Sequence, residues 1–188
     1  MQRIILILSS VLIFNVCSAQ IENQVETREQ KRLRKEARIE EKRLEEEKAV
    51  AQTKYLIDTR RFILIADFIG NNTGNRIPVN STINFVKIDT SNCVLQVGSL
   101  NGIGYNGVGG ITAEGRISSF EITPNRRGDS YTMRMSTNTS IGHYDIVLFV
   151  NAFGNADATI TGITSGALRY YGRIIPIENS KVFQGRSL

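Results

Sequence analysis

His143 is the single histidine of this 188-residue chain, and Asp145 stands two positions after it. In an extended segment, residues i and i+2 share a face, so the two side chains can pair as an imidazole and the carboxylate that orients it. A Ser-His-Asp triad would have to use this histidine, with a serine hydroxyl bonded to the imidazole. No serine lies in the Gly-x-Ser-x-Gly turn that presents a nucleophile. The couple therefore reads as an exposed, weakly interacting pair near a strand end. One histidine also rules out a multi-histidine zinc site, and a site of carboxylates alone needs clustered acids. Asp67, Asp89, Glu114, Glu121, Asp129, Asp145, Asp157 and Glu178 are scattered over separate segments. They read as solvated charges, although the sequence leaves a glycosidase pair formally open. Cys93 alternates with Leu95 and Val97 and reads as a small core residue. No catalytic residue, metal ligand or cofactor is nominated.

Gly102-Ile103-Gly104-Tyr105-Asn106-Gly107 fits the spacing GxGxxG. A dinucleotide site needs a helix after the glycines, its N-terminus facing the pyrophosphate. Here Val108-Gly109-Gly110-Ile111-Thr112 leads into another strand. The plainer reading of Asn101 to Gly110 is a connection whose glycines supply positive φ. The functional reading is an amide-rich rim around a barrel mouth, with Asn101, Tyr105 and Asn106 as candidate ligand contacts.

The elements that would position such a rim are strands. From Arg61 onward, short β-branched and aromatic runs are punctuated by Gly, Asn and Pro. The expected strands are 61–69, 82–89, 93–98, 111–123, 131–136, 143–151, 156–161 and 168–177. Tyr131, Met133 and Met135 oppose Thr132, Arg134 and Ser136, while Cys93, Leu95 and Val97 oppose Val94, Gln96 and Gly98. One face of each is expected in the core and the other mostly wet. Segments 61–69 and 143–151 are apolar on both faces, so they should be central or covered outside, for which the N-terminal helix is a candidate. The fold class is mainly β: an antiparallel meander of about eight strands closed into a barrel, or folded as a sandwich, after a long charged helix.

That helix is expected because Glu22 to about Arg61 contains no Gly or Pro and is crowded with Arg, Lys and Glu. Thr27 and Gln30 can form a capping box. Leu33, Ala37, Leu44, Ala51 and Tyr55 make a thin apolar stripe, broken by Glu40 and Lys48. Arg32/Glu36 and Arg43/Glu47 have the i,i+4 spacing, worth about 0.2–0.5 kcal/mol each. The arm reads as a charged spacer or surface-docked helix; the alternative is a helix that grips a protein partner or an anionic membrane surface.

Ahead of the arm, Met1-Gln2-Arg3 precedes an apolar run from Ile4 to Val16. The run is shorter than the roughly 20 residues of a spanning helix. Cys17 and Ala19 are small residues three and one positions before Gln20. Residues 1–19 are thus expected to be a signal peptide cleaved after Ala19, 20–60 a helical arm and 61–188 a barrel domain. A rival reading lipidates Cys17, but Val16 is larger than the residue that normally precedes such a cysteine. Cleavage leaves Cys93 without an intramolecular partner, so packing must hold the domain, and a chain of this size buries roughly two-thirds of its unfolded surface. The formal charge is +5, one unit of it from Arg3, and the rest is diluted by neighbouring acids. That is unlike the clustered patch that nucleic acid requires.

Asn84-Phe85, Gln96-Val97-Gly98, Asn106-Gly107-Val108-Gly109-Gly110-Ile111-Thr112 with Glu114-Gly115, and Tyr171-Gly172-Arg173 before Pro176 follow in an order that resembles a family of exported Bacteroidetes proteins, domain of unknown function 4251. The resemblance covers nearly the whole chain after residue 19. It implies a lipocalin-like barrel in the periplasm or at the cell surface of a Gram-negative bacterium, and it carries over no site residues. The leading expectation is a non-enzymatic envelope protein whose barrel binds a small apolar or amphiphilic ligand or docks a partner. The alternative is a solid barrel whose helical arm docks a protein partner or membrane surface, and a hydrolase stands third. Inward-facing Ala66, Ala113 and Ala158 would favour a cavity; large inward residues on every strand would favour a solid interior.

Overall fold

The computed structural model describes residues 27–71, 73–99, 102, 104, 106–162 and 166–187. They form one helix and nine strands, divided into compact units that meet between Glu45 and Glu46. Helix α1 (Arg28–Thr59) starts where its capping box predicts. The Thr27 N–H donates to Gln30 Oε1 at 2.9 Å and the Gln30 N–H to Thr27 Oγ1 at 3.4 Å. Over Arg28–Glu45 every residue is exposed, with Arg32 on Glu36 at 3.2 Å and Arg43 on Glu40 at 2.6 Å. The expected apolar stripe is not the buried face, since Leu33, Leu44 and Tyr55 are all exposed. Burial is confined to Thr53, Leu56 and Ile57 in the last turns, which belong to the second unit.

In that unit β1 (Arg61–Gly70), β2 (Arg76–Pro78), β3 (Phe85–Asp89), β4 (Asn92–Val97), β5 (Ile111–Pro124), β6 (Ser130–Thr139), β7 (Gly142–Asn151), β8 (Asn155–Thr161) and β9 (Ala167–Ile175) follow in sequence. The sheet is antiparallel in the order β2-β1-β3-β4-β5-β6-β7-β8-β9, and a β1–β9 pairing closes it. The result is an eight-strand barrel with β2 as an extra strand. β2 replaces β3 beside β1 where that strand bulges between Ala66 and Phe68. A bulge bends the strand and raises its twist, which lets one strand change neighbours midway. Residues 82–84, expected within a strand, form a turn before Phe85.

Alternation places the inner core as expected. Phe62, Leu64, Ala66, Val86, Ile88, Met133, Met135, Ile146 and Leu148 are sealed inside. Leu56 and Ile57 join this core from the helix, each contributing about 1.5–3 kcal/mol by burial. The Arg60 guanidinium then lies 4.4 Å from the Phe120 ring centroid. The helix end thus stops one end of the barrel, beside the β7–β8 turn, where a Cβ on Gly154 would lie 3.2 Å from Thr53 Oγ1.

The outer face corrects two expectations. Val94 and Gln96 are buried rather than wet. With Ile63, Ile65 and Phe85, Val94 forms a second, outer core packed by Ile175, Ile177 and Val182. The cover over β1 is thus the segment after β9, including the turn Ile177–Asn179, and not the helix. β7, by contrast, is central, paired with β6 and β8, but leaves Phe149 46% exposed, so its double-faced apolarity marks a central strand and not a covered one.

Candidate functional site

Opposite the helix end, the ends of β4 and β8 and the starts of β5, β7 and β9 surround a cavity of about 350 Å³. Leu95 and Val97 from β4 and Ala113 from β5 form one wall, Ile160 from β8 and Leu168 from β9 the other. Gly162 and Gly166 also line it, and Tyr144 and Tyr170 add two rings. Leu95, Val97, Ala113, Tyr144, Ile160, Leu168 and Tyr170 face inward by the same alternation that builds the core. Tyr170 is fully buried, and its hydroxyl donates to the Gln96 carbonyl at 2.9 Å. Burial raises its phenol pKa well above the ordinary value, so the ring is a neutral, fixed wall. Among the described residues that line the cavity, none carries a charge. Such a wall can hold hydrocarbon or an uncharged ring, because an ion placed there would lose its hydration without gaining a partner.

The family model for Domain of unknown function (DUF4251) matches residues 44–174, which include the helix end and nearly the whole barrel. The chain belongs to the DUF4251 family. A crystal structure of a DUF4251 family protein from Bacteroides eggerthii DSM 20697 is similar to it, with a TM-score of 0.61 at 26% identity over 74% of this chain and 95% of that one. No curated protein matches.

Of the residues nominated as ligand contacts in this DUF4251 chain, Asn101 and Tyr105 lie outside the described residues. Asn106 is buried and does not line the cavity. Its Oδ1 accepts from the N–H groups of Val108 and Gly110, both at 3.1 Å, and its Nδ2 donates to Thr112 Oγ1 at 3.1 Å. The side chain is occupied in shaping the β4–β5 connection. Gly110 is obligatory there for another reason: a Cβ would lie 2.0 Å from the Val97 carbonyl oxygen.

His143 and Asp145 sit on the outer face of β7, on either side of inward-facing Tyr144. His143 Nε2 is 3.4 Å from Asp145 Oδ1, and its Nδ1 is 2.7 Å from Asn138 Oδ1. A serine is present, but Ser136 Oγ donates to Asp145 at 2.5 Å, not to the imidazole. In a triad the histidine stands between serine and acid; here the acid stands between serine and histidine, and no hydroxyl is activated. Cys93 is 1% exposed, and burial pushes its thiol up to about 12, so it is neutral and enclosed. Among the described residues, no three His, Cys, Asp or Glu side chains converge as a metal site would require.

Alternation puts Leu95 and Val97 on one face of their strand, and Ala113 reads as an inward residue that favours a cavity, but none is named as a ligand contact because each looks like an ordinary core position. Only closure of the barrel shows that space remains between them.

Proposed function

We propose that this DUF4251 protein is an exported, non-enzymatic binding protein of the bacterial envelope, and that it takes a small apolar or amphiphilic molecule into the mouth of its barrel. The carrying observation is the cavity of about 350 Å³, whose described lining residues carry no charge, at the end of the barrel opposite the helix-filled core. Ligand pockets begin near about 300 Å³, and a cavity of about 150 Å³ holds benzene. A ligand of roughly twice that size fits, its apolar part inside and any charged end at the rim. The apolar leader with Cys17 and Ala19 before Gln20 supports export. The outward position of His143 and Asp145 supports a binding rather than a hydrolytic role.

Native mass spectrometry of the mature chain, purified gently from the periplasm of its own host, tests both parts. A mass beginning at Gln20 with an added ligand that departs on denaturation is the expected result. A chain that retains residues 1–19 would overturn export. A bare chain whose Ala113→Phe variant binds the uncharged dye N-phenyl-1-naphthylamine as wild type does would overturn the mouth site.

A second reading rests on the exposed apolar residues of the arm, where Leu33, Ile39 and Leu44 are 55%, 58% and 43% exposed. In this reading the helix docks an envelope protein or an anionic membrane surface. Co-sedimentation with anionic vesicles that is lost on deleting residues 20–45 would support the membrane form.

A further inference from the structure

Gln96 is wholly buried, yet it points away from the cavity that its neighbours Leu95 and Val97 line. Its Oε1 accepts from the Gly185 N–H at 2.8 Å and from Thr112 Oγ1 at 3.0 Å. Its Nε2 donates to the carbonyls of Ile83 at 3.0 Å and Phe183 at 2.8 Å. The main-chain carbonyl of the same residue holds the Tyr170 hydroxyl inside the barrel. One residue therefore joins the cavity wall to the C-terminal segment. A second junction lies close by. The Arg186 N–H donates to the Asn106 carbonyl at 2.9 Å, and Asn106 holds Thr112. The contact is close-fitting, since a Cβ on Gly185 would lie 2.3 Å from the Asn106 carbonyl oxygen and 3.2 Å from Thr112 Oγ1.

We propose that residues 181–187 form an intramolecular strap, with Gln96 as its positioning residue, whose docking holds the mouth of the barrel in its ligand-binding shape. The inference rests on the reading of the mouth as a ligand site. Val97 and Ile111 flank the β4–β5 connection and line the cavity, so whatever fixes that connection fixes the wall. Binding to a preformed wall is tighter than binding to one that must first be ordered. Linkage then requires reciprocity: if the docked strap raises ligand affinity, the ligand must stabilise the docked strap by the same factor.

Gly185→Ala tests this, because the added methyl meets the Asn106 carbonyl, with Val108 Cγ2 at 3.0 Å as its next neighbour, and has no residue of the inner core cluster among its nearest contacts. Binding of N-phenyl-1-naphthylamine to the mature chain is followed by fluorescence, and amide hydrogen exchange is followed at Phe183, Gly185 and Arg186. The variant is expected to bind the dye about tenfold more weakly and to exchange these amides faster. Saturating dye should slow the same amides in the wild-type chain by a similar factor. Unchanged affinity in a variant whose tail amides exchange freely would overturn the linkage. If the wild-type chain binds no dye, the mouth-site reading fails and the linkage with it. The mechanical part is still decided by the amides of Ser99, Val108 and Gly110, bonded within the β4–β5 connection. Faster exchange there in Gly185→Ala upholds the strap, and unchanged exchange overturns it.

Discussion

The two ends of this barrel are built from the same strands and behave as different materials. At the helix end, Leu56 and Ile57 enter an interior already holding Phe62, Ile88 and Met133, and the space is filled. At the mouth, the same strands present Val97, Ala113 and Leu168 around a cavity, and the chain returns outside the wall as a hydrogen-bonded strap. Backbone strain is divided the same way. Near the helix end, Arg60 and Thr90 hold positive φ of 54° and 58°, joined by a bond from the Thr90 N–H to the Arg60 carbonyl at 2.8 Å. Among the described residues of the β4–β5 connection at the mouth, those with positive φ are Gly104, Gly107 and Gly109. At the helix end packing holds the strained residues in place; among the described residues of the mouth connection, positive φ falls on glycine, which adopts it without strain. Packing is thus continuous at one end and leaves space at the other.

The largest expected effect tests that contrast directly. Ile57→Ala should destabilise the protein by about 2–5 kcal/mol, because the surrounding core cannot collapse into the gap. Val97→Ala, at the edge of a space that already exists, should cost under about 1.5 kcal/mol. Denaturant unfolding of both variants measures the difference, and equal losses would mean that the mouth is as tightly packed as the helix end.

Enlargement gives the complementary contrast. Ala66 and Ala113 both face inward and are nearly fully buried, but only Ala113 borders the cavity. Ala66→Phe is expected to overpack the filled region at a cost of about 1–3 kcal/mol. Ala113→Phe should lower stability by less than about 1 kcal/mol while removing dye binding, since its ring has space to enter. Thermal melts and a fluorescence titration on the same samples separate these outcomes.

These contrasts also mark what the sequence could disclose. The capping pair Thr27 and Gln30 and the alternation of Tyr131, Met133 and Met135 are local patterns, and both were legible. β2 was not, because three residues ending in Pro78 gain strand character only by pairing with β1. The arm's stripe misled since burial depends on which helix turns meet the barrel, and only Thr53, Leu56 and Ile57 do. Val94 and Gln96 looked solvent-facing because their cover comes from the distant segment around Val182 and Phe183. A glutamine between Leu95 and Val97 in an apolar run was the available clue to that cover. Asn106 was legible as important but not in its role, for its partners Val108, Gly110 and Thr112 are fixed by the folded turn.

Cys93, on the inner face of β4, reports the packing through pH. Its thiol is pushed from an ordinary value of 9.0 up to about 12, chiefly by burial and against a smaller opposing hydrogen bond with Thr137. Below pH 9 the thiol is protonated in both folded and unfolded chains, so it introduces no pH dependence. Between 9 and 12 the unfolded chain releases the proton and the folded chain does not, so stability falls by up to about 1.4 kcal/mol per pH unit. Cys93→Ala should flatten that part of the profile, as read from denaturant midpoints at pH 8 to 11; an unchanged slope would show that other groups cause it.

The smallest effect concerns the strain at the helix end. Thr90 is β-branched and holds a φ of 58° in the β3–β4 turn, a conformation that costs an L-residue about 1–2 kcal/mol. Thr90→Gly removes the Cβ conflict but gives the unfolded chain more freedom, which offsets part of the gain. The net expectation is a stabilisation of about 1 kcal/mol, seen as a higher denaturant midpoint with unchanged slope. The Thr90 N–H bond to the Arg60 carbonyl is main-chain on both sides, so it survives the substitution. If the variant is instead less stable, the threonine side chain must contribute more than its strain removes, and packing at the helix end would extend into the turn itself.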